Sequence, residues 1–298
     1  MRGHITGAGM HPPGRRRNAT LRPAGALPMT VAHKIFRRLR VYRHGVSRKW
    51  GVATMNPWML FKRGLMTFWY WYVRKLNAAW PSITLQGKTL TILPGVYKPV
   101  ENEQACVAYC REGDRVLDLG CGSGVCTVFC AERAREVVAI DISPAAVRNT
   151  EENCRRHGLT HVTVRHSDMF SNVEGKFDLI LSNPPYIAAD FKDEEAQFAT
   201  STRYLPVLFA DVHNHLAKDG RLLVQFPMWF RSSIRRLAAT HGLQVVSVKR
   251  MPRKPLGLLL TSLLYLQFGF RSAIYEIRPL PAVGSTAAEP AATVAAVL

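Results

Sequence analysis

Between residues 116 and 182 the chain carries four short strand-like runs, at 116–119, 137–141, 162–165 and 177–182, the first, second and fourth of them nearly continuous in apolar residues. Continuous runs of this length without helical spacing read as buried strands. Residues 125–134 and 144–157 lie between them with helical spacing. The second of these has Ser143 as its N-cap and Pro144 in its first turn, and Gly158 ends it. Three more strands are expected at 221–226, 243–249 and 273–278, and two more helices at 204–216 and 228–240. Upstream, threonines and aliphatics around Gln86-Gly87-Lys88 make 82–93 a hairpin, and 101–110 is expected to be a helix leading into the first central strand. Strands alternating with helices predict an α/β domain with a largely parallel sheet.

The first run breaks at Asp118-Leu119-Gly120-Cys121-Gly122-Ser123-Gly124. Glycine at alternate positions removes the Cβ atoms that would hold a ligand off the backbone and permits positive φ. A dinucleotide-binding turn begins in the same way but needs a further glycine where this chain has Val125. The second run closes on Asp141, about where a ribose-binding carboxylate belongs relative to the glycines. The third is followed by His166-Ser167-Asp168. The fourth runs directly into Asn183-Pro184-Pro185-Tyr186, at the carboxyl edge where open α/β sheets bind ligands.

These motifs resemble the class I S-adenosylmethionine-dependent methyltransferases, and within them the Asn-Pro-Pro-Tyr branch that methylates amino and amide nitrogens. The stretch 177–187 and the segment 94–102 are similar to the HemK/PrmC group, which methylates a glutamine side-chain amide of translation release factors. The resemblance covers about 93–226. It implies a Rossmann-like sheet of order 3-2-1-4-5-7-6 with the last strand antiparallel, and S-adenosyl-L-methionine as cofactor. Asp118 and the backbone of Gly120, Cys121, Gly122 and Gly124 would hold the methionine part, Asp141 the ribose hydroxyls and Asp168 the adenine amino group. Ile142 would lie against the adenine. Asn183 would sit where the sulfonium methyl points toward the acceptor.

The reaction explains the last motif. An amide or exocyclic amine is a poor nucleophile because its lone pair is delocalised, so its N–H groups must be held by acceptors that leave the lone pair facing the methyl. The Asn183 side-chain oxygen and the Pro184 carbonyl are candidates. Consecutive prolines stiffen the turn, and Tyr186 offers a flat face to a planar group. The plain alternative for Asp118 and Asp168 is a strand-end carboxylate capping the next turn.

Composition changes the picture mainly at the N-terminus. The net charge is +19, yet residues 1–100 hold 18 of the 40 Lys and Arg and no acid. The expected organisation is a disordered basic tail (1–30), a basic and aromatic helical extension (31–80), the catalytic domain (81–280) and an Ala/Pro/Thr-rich tail (281–298). Residues 1–30 lack the apolar stretch of a secretory signal, and Met29 is a second candidate start. The stretch 50–80 crowds Trp58, Phe61, Phe68, Trp69, Tyr70, Trp71, Tyr72 and Trp80, but its uninterrupted part, 64–73, is far short of the roughly 20 residues that span a bilayer. It reads as a lid packed on the catalytic domain or as an interfacial helix. A second greasy segment, 256–270, follows Arg253 and Lys254, and with 50–80 it motivates peripheral membrane contact. The acidic loop at 188–202 either meets substrate or simply faces water, and exposure is the commoner fate of a loop.

Six cysteines without Cys-x-x-Cys spacing read as reduced buried thiols, with no metal site and a cytoplasmic setting. The functional expectation is N-methylation of a planar nitrogen on a protein substrate such as a translation factor. Alternatives are RNA or DNA amino-methylation using the basic extension, small-molecule N-methylation, and a cofactor-binding scaffold without turnover.

Overall fold

A computed structural model describes residues 57–186, 203–267 and 272–281. The expectations for 1–56, for the acidic loop and for the tail beyond 281 fall outside the described residues.

The apolar runs form a single sheet of β3 (Arg115–Leu119), β4 (Glu136–Asp141), β5 (Val162–His166), β6 (Phe177–Ser182), β7 (Leu216–Pro227), β8 (Leu243–Arg250) and β9 (Ser272–Pro279). Its order is β5-β4-β3-β6-β7-β9-β8, which is 3-2-1-4-5-7-6 when the seven are counted alone. Strands β3 to β7 pair in parallel, and β9 is antiparallel to both of its neighbours. Alternation along the strands separates two cores. Leu117, Ile140, Ile180 and Val224 pack on one face, and Val116, Val137, Leu179 and Leu223 on the other with Cys106, Cys110 and Cys130. All six cysteines are free thiols.

Before the sheet come helix α1 (Pro57–Ala79) and the hairpin β1 (Ser82–Leu85) and β2 (Lys88–Thr91). After β3 and β4 come α2 (Val125–Cys130) and α3 (Pro144–Arg156). Ser143 caps α3, its hydroxyl accepting from the Ala146 amide, and Gly158 turns the chain away with φ +65°. Helices α4 (Tyr204–Asp211) and α5 (Arg231–Thr240) flank β7, and α6 (Leu256–Leu264) precedes β9.

Four expectations need correction. The helix at 101–110 is a 3-10 helix over Glu103–Tyr109; it opens at Asn102 with φ 60°, and Glu103 turns its carboxylate back onto the amides of Val100 and Glu101. The helix after β3 stops at Cys130 rather than 134. The helix at 204–216 ends at Asp211, passes through a 3-10 turn, and gives way to β7 at Leu216, five residues before the expected strand. The helix at 228–240 is a 3-10 turn, Met228–Phe230, followed by α5.

Candidate functional site

The carboxyl ends of β3, β4 and β6 open on a cavity of about 620 Å³. Asp118, Gly120, Cys121, Gly122, Asp141, Ile142, Asp168, Asn183, Pro184 and Tyr186 all line it. Of the expected site residues only Gly124 does not. It caps α2 with φ 78°, and a Cβ there would meet the Thr150 side chain at 3.0 Å, so its role is packing. Gly120 is similar, since a Cβ would lie 3.1 Å from the Tyr204 hydroxyl. Gly122 differs. Its φ is +54°, and a Cβ would meet no protein atom within 4 Å, so its bare backbone faces open cavity, as a ligand cradle requires.

The carboxylates are held by local geometry. Asp141, at the end of β4, receives the Gly122 amide on Oδ2 (2.9 Å) and the Ser143 amide on Oδ1 (2.8 Å). Each oxygen keeps a lone pair for hydroxyl donors. Burial raises its pKa, against the pull of these amides. Burial also pushes the Asp118 carboxyl up to about 7, although the Thr127 hydroxyl donates to it at 2.6 Å. Asp168 lies on the more exposed rim, where one Arg203 nitrogen reaches both its oxygens, at 2.7 and 2.5 Å. The next residue, Met169, has φ 51°, an uncommon conformation for an unbranched apolar side chain. The Ser167 hydroxyl donates to its carbonyl at 2.8 Å and holds the turn.

At the acceptor end the Tyr186 hydroxyl donates to Asn183 Oδ1 at 2.7 Å, and the Tyr186 ring meets Phe226 edge-on at 5.4 Å. Burial, with Glu101 and Glu103 nearby, raises the Tyr186 phenol far above its ordinary range. It therefore stays protonated and orients the carboxamide, a role the flat-face reading of Tyr186 did not include.

Sequence reasoning missed several lining residues. Tyr204 ties the glycine turn to β6, its hydroxyl lying 2.8 Å from the Leu119 carbonyl and 3.0 Å from the Ser182 hydroxyl. Tyr97 donates to Gln267 Oε1 at 2.9 Å and has its phenol raised chiefly by burial. Glu103 is buried, and desolvation pushes it up to about 7. Tyr97 lies in the segment 94–102 singled out by resemblance, whereas nothing in the sequence marked Glu103, Arg203 or Tyr204. Helix α1 contributes Met66 and Trp69 to the cavity wall.

A glycine backbone open to the cavity, a carboxylate fixed for two hydroxyls and two further buried carboxyls beside them fit a cationic amino-acid nucleoside.

Residues 105–228 match the family model described as methyltransferase small domain. The release factor glutamine methyltransferase of Cereibacter sphaeroides is 37% identical over 152 residues, covering 45% of this chain and 54% of the relative. The ribosomal RNA small subunit methyltransferase C of Haemophilus influenzae is 31% identical over 182 residues, 56% of this chain and 52% of the relative. The chain spans about half the length of these curated relatives. Among solved structures, Trm5 of Methanocaldococcus jannaschii in complex with adenosine superposes with a TM-score of 0.50 at 15% identity, covering 67% of this chain and 56% of that one. The sheet order is that of a Rossmann-like methyltransferase fold, and the match to the methyltransferase small domain lies within that sheet, over residues 105–228.

Proposed function

We propose that the protein transfers a methyl group from S-adenosyl-L-methionine to a planar amide or amino nitrogen, with a protein glutamine side chain as the first candidate acceptor. The observation that carries this reading is the pinned carboxamide, Tyr186 hydroxyl to Asn183 Oδ1, at the end of β6 on the cavity wall. One lone pair of that oxygen is taken by the phenol, and the other is available to an acceptor N–H. The Pro184 carbonyl is the second acceptor in this reading. The cofactor supplies an electrophilic methyl carbon. The chain's part is to hold a weak nucleophile in line and exclude water, for which positioning alone can supply on the order of 7–11 kcal/mol. Asp141 would hold the ribose, Asp118 and the Gly120–Gly122 backbone the methionine part, and Asp168 the adenine edge, where Arg203 would have to share it.

Nucleic-acid amino-methylation is favoured by a different observation, the acid-free first hundred residues, which could hold phosphates. Transfer of labelled methyl into fractionated extract separates the two, since label enters protein in one case and RNA in the other. Calorimetry with the cofactor is the prior check. Asp141→Ala is expected to weaken binding at least about tenfold, because it removes a charge-assisted partner of two hydroxyls. Absence of heat with the wild-type chain defeats the reading.

A further inference from the structure

Helices α1 and α6, nearly two hundred residues apart, are stitched together. Trp69 Nε1 donates to the Tyr265 carbonyl at 3.0 Å and the Tyr72 hydroxyl to the Leu264 carbonyl at 2.9 Å. The Tyr265 hydroxyl, fully buried, donates to Asn77 Oδ1 at 2.8 Å. Each helix has one buried stripe: Val73, Leu76 and Asn77 on α1, which meet Tyr265 just after α6, and Leu258 and Ser262 on α6, of which Leu258 packs with Leu85, Leu90 and Phe129. The opposite stripes are as apolar as the buried ones. Leu65, Phe68 and Trp71 on α1 and Leu256, Leu260 and Leu263 on α6 are each 47–71% exposed. Single exposed apolar residues need no explanation, but a run on two adjoining helices does.

The charge around this face selects its occupant. Every charged residue of α1, and of the segment 251–267 that contains α6, is basic. Arg63, Lys75 and Arg253 are exposed. A second copy of the chain laid on this face would bring like charges together. An anionic bilayer presents the complementary sign, with headgroups for the cations and an acyl boundary for the leucines and aromatics. No helix among the described residues is long and apolar enough to cross a membrane. Leu65, Phe68 and Leu266 are exposed and also line the cavity, so the cavity mouth borders the face.

We propose that the joined α1 and α6 face docks the protein on anionic membrane surface, with the mouth of the methyl-transfer cavity at the edge of the footprint. The inference does not depend on the acceptor, and its test does not read methyl transfer.

The test is flotation of the full chain with phosphatidylcholine vesicles with and without phosphatidylglycerol. The expected result is flotation with the mixed vesicles and little with phosphatidylcholine alone. Flotation should weaken as ionic strength rises from about 0.1 M to about 1 M, where the screening length falls from about 10 to 3 Å. The paired changes Trp71→Glu and Leu260→Glu should weaken binding at least about tenfold. Both positions are exposed, so the variant's melting temperature should stay close to wild type, which keeps the comparison valid. Three results overturn the proposal: a chain that floats with neither vesicle, flotation of wild type and variant alike, or a dimer in sedimentation that the two changes dissociate.

Discussion

The Tyr186 hydroxyl is small in energy and large in consequence for Asn183. Without it the carboxamide could rotate and present its NH₂ to an acceptor N–H, donor against donor. Tyr186→Phe keeps the ring and its edge-on contact with Phe226 but removes a bond worth about 1 kcal/mol. The expected result is a several-fold loss in kcat with cofactor affinity unchanged. Asn183→Ala should cost about 100-fold in kcat, as loss of an interaction made chiefly in the transition state does. In the Asn183→Ala background Tyr186→Phe should add little, and a double-mutant cycle reads that coupling. Asp118 supplies a second test. Its folded pKa of about 7 lies above the ordinary carboxylate value, so its contribution to stability is complete below about pH 4 and is lost as pH rises through about 7. Every tenfold gain in proton affinity on folding is worth about 1.4 kcal/mol. Asp118→Asn, which can still accept from Thr127, should therefore raise the melting temperature relative to wild type at pH 8, with the gain shrinking toward pH 5. Glu103 titrates similarly but is common to both proteins. A gain that does not change with pH would mean that Asp118 is ionised throughout.

At the scale of elements, α3 does more than cross over between β4 and β5. Asn149 and Asn153, one turn apart and fully buried, clamp the end of the hairpin to the glycine turn. Asn153 Oδ1 accepts from the Thr91 amide at 2.7 Å, and its Nδ2 donates to the Thr91 and Ser123 carbonyls at 2.9 and 2.8 Å. Asn149 repeats the arrangement with the Leu93 amide, Thr91 carbonyl and Ser123 carbonyl. Asn153→Ala leaves buried backbone groups short of a partner and should cost about 1–3 kcal/mol. Hydrogen exchange should quicken at Thr91, and cofactor affinity should fall because Ser123 keeps only one of its two asparagine donors, while α3 stays helical. None of this was legible in the sequence, where two asparagines on a helix look like solvent positions. The central strands and the sheet class were legible because burial on both faces leaves a nearly unbroken apolar run, the edge strand β5 only through its β-branched residues, and the motif residues stood out because chemistry restricts them to few residue types. The start of β7 was hidden, since Ala217-Lys218-Asp219-Gly220 carries no apolar signal, and the 3-10 helix was hidden because its spacing resembles that of an α-helix. The segment 256–270 gave away its greasiness but not that Leu258, Ser262 and Tyr265 would seat one stripe and leave another outside.

Across the whole molecule, the two ends of the sheet have different work. The amino ends of β3, β4, β6 and β7 are bound by ions: Arg115 with Glu136 at 2.7 Å, Arg135 with Asp178 at 3.2 Å, and Arg221 with Asp114 at 2.5 Å. The carboxyl ends hold the cavity, and there Asp118 and Asp141 are tied by amides and a hydroxyl rather than by ion pairs. Uncompensated carboxyls suit a cationic ligand that brings its own charge, whereas the amino end is neutralised within the chain. The Arg221 pair is the buried one, its guanidinium also donating to the Asp178 and Tyr109 carbonyls. Asp114→Ala strands that cation and should cost about 3–5 kcal/mol, seen as a lower melting temperature. Replacing both members, Asp114→Ala with Arg221→Met, should recover much of the loss, because two apolar groups leave no charge to desolvate. Well below the melting temperature, cofactor affinity should match wild type in both variants, since neither residue lines the cavity. If calorimetry found affinity falling with stability in Asp114→Ala and returning in the double variant, the two ends of the sheet would be coupled through the strands. The glycine turn would then owe its shape to the ion pair at the far end as well as to the contacts around it.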